Sequence, residues 1–195
     1  MSDITQKWVR ILEPFTSHYG GRLSGTELSR LSGVPQQTAS RWLNGLVRQN
    51  ILEYSLQGKN KLFSFDHARQ STRSIFQIIE NQKSLAFQKK AQEVFPAISE
   101  MLKHAESLIV FGSYASLTFD ASSDLDMVVA GTCDREGIQK VKQKQIVRIS
   151  EQYVTYAEFS RLLKSKNALA LEILKNHILF GNVSRLVGIF LGAMP

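Results

Sequence analysis

The fold of the C-terminal half follows from residues 107–130, which read Ser-Leu-Ile-Val-Phe-Gly-Ser-Tyr-Ala-Ser-Leu-Thr-Phe-Asp-Ala-Ser-Ser-Asp-Leu-Asp-Met-Val-Val-Ala. The apolar run at 108–111 is typical of a buried strand, because it shows no polar face. Gly112 and Ser113 then predict a tight turn, after which residues 114–118 can begin a helix. A second strand is predicted over residues 125–130. The stretch therefore predicts two strands joined by a turn and a short helix.

Two carboxylates stand at the mouth of the second predicted strand. Asp124 and Asp126 are two residues apart, so in a strand their side chains lie on one face, with Cα atoms roughly 6–7 Å apart. Such a pair beside a Gly-Ser turn suits a hard divalent cation that carries phosphates, since the turn offers N–H groups and a hydroxyl to the phosphate oxygens. We expect Mg²⁺ or Mn²⁺ at Asp124 and Asp126. The simpler alternative is an acidic surface turn that follows a strand.

The pattern of Gly112-Ser113, about ten further residues and then Ser123-Asp-Leu-Asp resembles the signature of the polymerase-β nucleotidyltransferase superfamily in its minimal form. The resemblance covers residues 108–181. It implies that Asp124 and Asp126 are the catalytic metal ligands and that Gly112, Ser113 and Ser123 bind the nucleotide. Active members of the superfamily move a nucleotide from an NTP to a hydroxyl, here of a protein, an RNA or a small molecule.

Two positions depart from that family. Leu117 stands where the family usually has glycine, and the third carboxylate of active members has no counterpart on the predicted strand 147–156. The matching position is predicted to be Gln152, while Glu151 should face the other side of the strand. The sequence therefore predicts binding of Mg²⁺–NTP with weak or absent transfer.

The N-terminal part predicts a helix-turn-helix. Ser24 and Glu27 have the spacing of a capping box ahead of a first helix, and Gly33 marks a turn. Pro35 is expected to open a second helix that ends near Gln49. The polar positions of that helix should face outward; they are Gln36, Gln37, Thr38, Ser40, Arg41 and Asn44.

Two short strand-like runs, 51–56 and 61–65, follow this helix and flank a turn at residues 57–60. Helix, turn, helix and hairpin together resemble a winged helix-turn-helix. The polar helix face suits the major groove of DNA, and Lys59 and Lys61 suit the phosphate backbone or minor groove. A winged helix that contacts only proteins is the alternative.

Residues 71–106 are predicted to be mostly helical, divided by Pro96, with an apolar stripe. The stripe either packs on the chain's own sheet or forms a homodimer interface. The predicted architecture is thus a mixed α+β chain: a winged helix-turn-helix at 1–70, a helical linker at 71–106 and a small α/β nucleotidyltransferase-like domain at 107–195. A lysine-rich segment at 138–145 follows the second predicted strand. It either forms a solvated surface or binds phosphate or RNA.

Amino-acid composition, net charge and cysteine content limit the classes of function that fit this sequence. The 195 residues are 43% hydrophobic and carry a net charge of +7, which favours a polyanionic partner such as DNA. Cys133 is the single cysteine, which excludes an internal disulfide, and no Cys/His cluster has zinc spacing. The polar N-terminus and the short apolar stretch at 186–194 predict a cytoplasmic protein without a membrane partner.

Three functions remain open at this point. The first is a DNA-binding transcriptional regulator whose degenerate second domain senses a nucleotide. The second is an active nucleotidyltransferase. The third, by family resemblance only, is an antitoxin-like partner of a helical toxin.

Overall fold

The structure is a computed structural model that describes residues 3–193, with side chains described for residues 7–193. Contacts divide the chain into two compact units, and the division falls inside one helix, between Ile79 and Glu80. We call residues 3–79 the N-terminal unit and residues 80–193 the C-terminal unit. The division thus lies within the segment for which the sequence predicted a separate linker.

The N-terminal unit contains the helices and hairpin expected of a helix-turn-helix with a wing. Its elements are α1 (Asp3–Leu12), a 3₁₀ helix (Glu13–Ser17), β1 (Leu23–Ser24), α2 (Gly25–Ser32), α3 (Gln36–Arg48), β2 (Glu53–Gln57), β3 (Asn60–Ser64) and the first half of α4 (Gln70–Lys90). The three strands form an antiparallel sheet in the order β1-β3-β2.

Local signals account for most helix boundaries in this unit. The capping box is present: Ser24 Oγ accepts from the Glu27 amide at 3.2 Å, and the Ser24 amide donates to Glu27 Oε2 at 2.8 Å. Gly33 ends α2 with φ 64°. One prediction is wrong by a residue, because Pro35 is the N-cap of α3 and the helix begins at Gln36. With ψ of 139°, Pro35 is extended, yet its carbonyl accepts the first helical bond, from Ala39.

The hairpin turn is shorter than predicted. β2 and β3 pair from Glu53–Ser64 to Gln57–Asn60, which leaves only Gly58 and Lys59 in the loop. Gly58 has φ 60°, the left-handed conformation that tight two-residue hairpins require and glycine adopts freely. The wing is therefore a closely paired ribbon.

The C-terminal unit is a mixed four-stranded sheet covered by helices. Its further elements are α5 (Phe95–Met101), β4 (Ala105–Val110), α6 (Gly112–Ser116), β5 (Leu125–Cys133), α7 (Arg135–Lys142), β6 (Ile149–Val154), α8 (Tyr156–Lys164), α9 (Ala168–Lys175), β7 (Ile178–Gly181) and α10 (Val183–Ala193). The strand order is β6-β5-β4-β7, with β5 and β6 parallel and the other pairs antiparallel.

The structure of this unit accounts for the position of Pro96 and for the apolar segment that forms α10. Pro96 lies in the first turn of α5, where its missing N–H costs no helical bond, and the segment is indeed divided before it. The apolar C-terminal segment, α10, buries Leu186, Val187 and Phe190, and Phe190 meets Phe159 of α8 edge to face at 5.5 Å. None of the helices among residues 3–193 is long and apolar enough to cross a membrane.

Candidate functional site

The outer face of α3 carries most of the predicted DNA-contacting side chains. Ala39, Leu43 and Leu46 are fully buried, so the opposite face of the helix is turned to solvent. The exposed side chains there are Gln36, Gln37, Ser40 and Arg41, while Thr38 and Asn44 are half-buried. The helix therefore presents one polar face with Arg41 at its middle.

Hydrogen bonds fix part of this face and leave part of it available. Gln36 Nε2 donates to Thr26 Oγ1 of α2 at 3.0 Å, and Asn44 Nδ2 donates to the Ser40 carbonyl at 2.8 Å. Arg41 is exposed and makes no hydrogen bond or ion pair with the described part of the chain. An unengaged guanidinium on a helix face can form paired hydrogen bonds with guanine or contact phosphate.

The wing is tied to α3 by one of its two predicted lysines. Lys61 Nζ donates to Asn44 Oδ1 at 3.0 Å and lies over the ring of Tyr54, 4.5 Å from its centroid. Lys59 stands in the two-residue turn and is exposed. Lys61 thus positions the wing beside α3, whereas Lys59 is the lysine at the outer end of the wing.

The predicted carboxylate site is assembled around Gly112 in the C-terminal unit. Gly112 has φ 68°, and a Cβ built on it would lie 2.8 Å from Asp126 Oδ2. The Phe111 amide also donates to the Asp126 carbonyl at 3.1 Å, which holds the turn against β5. Gly112 and the Asp126 carboxylate therefore meet, as the sequence predicted, but helix α6 already begins at Gly112, two residues earlier than predicted.

The surroundings of Asp126 disfavour its ionised form. Loss of solvation raises the pKa of its carboxyl group above the ordinary 3.8, and the neighbouring Asp124 charge raises it further. A hydrogen bond with Ser150 acts in the opposite direction. Asp124 is closer to solvent and lies 3.6 Å from Arg148 Nε, whose side chain is 83% exposed. That contact is long and solvated, so it neutralises Asp124 only weakly.

The other two predicted nucleotide-binding residues differ in their surroundings. The Ser113 carbonyl accepts from the Thr118 amide at 3.0 Å, and its side chain is half-buried. Ser123 Oγ accepts from the Asp120 amide at 2.9 Å and donates to Asp120 Oδ1 at 3.2 Å. Ser123 is therefore engaged in a local turn, and Asp120, which sequence reasoning missed, is the acceptor that holds it.

Leu117 stands at the position where the resemblance leads us to expect glycine. It is left-handed, with φ 58° and ψ 34°, and follows the last turn of α6. A non-glycine residue in this region costs roughly 1–2 kcal/mol. The departure at Leu117 therefore leaves the turn in place at an energetic cost.

The strand register changes the position expected for a third carboxylate. In the parallel pair, Ser150 is opposite Asp126, whereas Gln152 is opposite Val128. The prediction that Gln152 lies beside Asp126 is wrong in this respect, since Ser150 is the residue opposite Asp126. It failed because β6 begins at Ile149 and its pairing with β5 depends on contacts that the sequence does not display. Neither side chain is a carboxylate.

Glu151 lies on the other face of β6, as expected. Its side chain is 7% exposed and accepts from Lys142 Nζ at 2.6 Å and Gln139 Nε2 at 2.7 Å, both on α7. Burial acts to raise the pKa of Glu151, but the hydrogen bonds from Lys142 and Gln139 and the charge of Lys142 together lower it. Among residues 3–193 no cluster of three or more His, Cys, Asp or Glu side chains is arranged to hold a metal ion.

Another missed feature is a buried ionic cluster in the C-terminal unit. Glu80 Oε1 lies 3.0 Å from His177 Nε2, and Lys83 Nζ lies 2.9 Å from Glu80 Oε2. Glu80 and His177 are almost fully buried, and His177 Nδ1 is 2.7 Å from the Ile173 carbonyl. No sequence motif connects residues 97 positions apart, so only the fold brings them together.

Comparison with known proteins identifies one part of the chain. The sequence model of the IclR helix-turn-helix domain matches residues 5–55, about a quarter of the chain. The match confirms the predicted N-terminal helix-turn-helix as a DNA-binding domain. The match does not extend to the Asp124–Asp126 segment. No curated protein and no solved structure matches the chain.

Proposed function

We propose that the protein is a transcriptional regulator that binds DNA through α3 and its wing and binds Mg²⁺–nucleoside triphosphate in its C-terminal unit, with weak or absent nucleotide transfer. The observation that carries the DNA part is the IclR helix-turn-helix match together with the exposed polar face of α3. The net charge of +7 supports a polyanionic partner.

In this function α3 lies in the major groove and Arg41 contacts a base edge. A bidentate arginine–guanine contact contributes about 1–3 kcal/mol of discrimination, so Arg41→Ala should weaken the specific complex about 5- to 150-fold. Gln37, Thr38 and Ser40 supply hydrogen bonds around it, and Gln36, which is held by Thr26, lies at the start of the same face. Asn44 is bonded to Lys61 and positions the wing.

The direct test is a mobility-shift titration with genomic DNA fragments at low salt. The wild-type protein should retard a subset of fragments, and Arg41→Ala should reduce that retardation selectively. Arg161→Ala, which removes an exposed arginine from the C-terminal unit, is the charge-matched control. Absence of retardation at low salt contradicts DNA binding.

The nucleotide part is supported by the contact between Gly112 and Asp126 and by the raised pKa of Asp126. Mg²⁺ in nucleotide sites commonly takes one or two carboxylates, with phosphate oxygens and waters as its other ligands. Asp124 and Asp126 provide that donor set. A cation beside them would relieve the burial and charge repulsion that disfavour the ionised form of Asp126.

Bound at this position, Mg²⁺ would neutralise charge on the triphosphate. In the proposed site Asp124 and Asp126 hold the ion, and the Gly112–Ser113 turn faces the phosphates. Transfer is expected to be weak because the chain offers Ser150 where an active site needs a further carboxylate, and a neutral hydroxyl neither attracts a second metal ion nor accepts a proton readily.

Calorimetry with Mg²⁺ and each of the four NTPs tests this site. The double variant Asp124→Asn/Asp126→Asn should lose binding, whereas Glu172→Gln, which alters an exposed carboxylate of α9, should retain it. Equal affinity in the wild type and the double variant contradicts the site. Incubation with labelled NTPs and cell extract then tests transfer, for which we expect little or no labelled product.

We also propose a homodimer, since paired half-sites in DNA suit two copies of a helix-turn-helix. Two apolar side chains of α4 remain open to solvent in the single chain: Ile78 is 48% exposed and Leu85 is 53% exposed. Sedimentation equilibrium of the wild type and of Ile78→Ser/Leu85→Ser tests this. The wild type should be dimeric and the variant should dissociate; a monomeric wild type contradicts the dimer.

A further inference from the structure

Leu56, near the tip of the wing, is the most exposed leucine among the described side chains of the N-terminal unit. Leu56 is the fourth residue of β2, and 68% of its surface is open. Only Gln57 separates it from the two-residue turn. Burial of a leucine side chain is favourable, so Leu56 could stabilise a complex in which a partner removes it from water.

Leu56 lies on the side of the hairpin that faces α3. Paired residues of an antiparallel ribbon share a face, and the pairs Tyr54–Phe63 and Leu56–Lys61 alternate with pairs on the other face. Phe63 is 3% exposed and lies near Leu43 of α3, since both approach the same point above Gly25. Lys61 reaches Asn44 of α3. Leu56 therefore lies, closer to the tip, on the same face of the hairpin as Phe63 and Lys61, the two side chains that approach α3.

The surroundings of Leu56 are cationic. Lys61 is its cross-strand partner and Lys59 stands in the adjoining turn. Neither lysine has an ion-pair partner among the described residues of the chain. An apolar side chain with two lysines close by in the hairpin suits a partner with a polyanionic exterior and an apolar interior, which is the character of duplex DNA with its phosphates outside and stacked bases inside.

We propose that Leu56 acts as an apolar wedge that enters the minor groove and partly unstacks one base step when α3 occupies the adjacent major groove. This proposal rests on the proposed DNA binding and deepens it. Lys59 and Lys61 would contact the phosphates that flank the step. Apolar wedges of this kind kink duplexes, and flexible pyrimidine–purine steps kink most easily. The wing would thereby select sequence through deformability rather than through hydrogen bonds to bases.

The test uses a short duplex recovered by selection from random sequence on the wild-type protein. 2-Aminopurine replaces each adenine in turn, because its fluorescence rises when the base unstacks, and dyes at the duplex ends report bending by energy transfer. Four proteins are compared: the wild type, Leu56→Ala, Leu56→Met and Leu171→Ala. Leu171 is a leucine of the C-terminal unit with 44% exposure and serves as the control.

We expect the wild type to raise fluorescence at one step and to bend the duplex. Leu56→Ala should abolish both signals and weaken binding about tenfold, or about 1.4 kcal/mol, with an unchanged salt dependence because no charge is removed. Leu56→Met should retain them, since methionine is apolar and of similar volume. Leu171→Ala should behave as the wild type.

Any one of four outcomes overturns the proposal. If the wild type binds no duplex, both the proposed DNA binding and the proposed wedge are contradicted. If the wild type binds tightly without unstacking any step, or if Leu56→Ala keeps the fluorescence and the bend, the wedge is contradicted while the proposed DNA binding stands. If Leu56→Ala instead shifts sedimentation from dimer to monomer and leaves the DNA signals intact, the exposed leucine serves contact between copies of the chain.

Discussion

The carboxylate of Asp126 occupies the space in which a side chain at position 112 would begin. A Cβ on Gly112 would lie 2.8 Å from Asp126 Oδ2, closer than real Cβ contacts come, and the backbone there has φ 68°. The glycine thus serves two needs at once: a left-handed turn and close approach to a carboxylate. Any substitution at Gly112 must move Asp126 or the turn.

Gly112→Ala should therefore lower the free energy of unfolding by about 1–3 kcal/mol and weaken Mg²⁺–NTP binding, because alanine is strained at this φ and displaces the carboxylate. Urea denaturation and calorimetry measure the two effects. Gly192→Ala is the control, since that glycine lies in helix α10 with no atom within 4 Å of its added Cβ. Equal stability of the two variants contradicts the argument.

Asp126→Asn should raise the melting temperature at neutral pH. The pKa of Asp126 is raised, first by loss of solvation and then by Asp124, so the folded state disfavours its ionised form above that pKa. The cost disappears as the pH falls below the ordinary 3.8, where the carboxyl group is protonated in both states. The stabilisation by Asn should therefore shrink with acid. Thermal melts between neutral and acid pH measure it.

Asp120→Asn should change the melting temperature in the direction opposite to Asp126→Asn. Hydrogen bonds from Ser122 and Ser123 lower the pKa of Asp120, so its ionised form stabilises the fold above its unfolded pKa, and this is lost as the pH falls through its folded value. Asn at this position should lower the melting temperature at neutral pH. Parallel shifts in both variants would show that the electrostatic account is wrong.

Ser150→Asp should tighten Mn²⁺ binding, because it places a third carboxylate opposite Asp126 on the same face of the sheet. Gln152→Asp lies opposite Val128, two residues further along the strand, and should have a smaller effect. Calorimetry with Mn²⁺ compares the two, and labelled-NTP transfer shows whether Ser150→Asp gains activity. A larger gain from Gln152→Asp would mean that the metal lies nearer Val128.

Lys59→Ala should flatten the salt dependence of DNA binding. If Lys59 contacts one phosphate, its loss reduces the slope of log K against log salt concentration by about one and weakens binding similarly on all sequences. Binding titrations over a range of salt concentrations measure the slope. Lys175→Ala, in the C-terminal unit, is the control. A slope that stays unchanged removes Lys59 from the interface.

Most of the predictions that rest on neighbouring residues were confirmed. The capping box of Ser24 and Glu27 acts over one helical turn, and Gly58 has the positive φ that a tight hairpin turn demands. The meeting of Gly112 with Asp126 was also predicted, because both strands and the turn between them lie in one short stretch. Pro35 was misplaced by one residue, since proline is acceptable both at and just after a helix start.

Features that depend on pairing between distant segments were not predictable. The choice between Ser150 and Gln152 depends on how β6 aligns with β5, and a slip of two residues preserves every side-chain face. The division between Ile79 and Glu80 has no sequence signal, because α4 is helical on both sides of it. The exposure of Leu56 was missed for a similar reason: an apolar residue in a strand is ordinarily expected to point inward.

Strand β4 pairs with β5 on one side and with β7 on the other, and β7 follows β4 in the sequence by about seventy residues. Ser84 Oγ also donates to the carbonyl of Leu179 in β7, at 2.6 Å. During synthesis, then, Leu108–Val110 have their neighbour in β5 long before β7 leaves the ribosome. A chain that stops before Ile178 exposes an apolar strand edge with unpaired amides, which is a template for aggregation. Premature termination should therefore yield insoluble fragments rather than a smaller working protein.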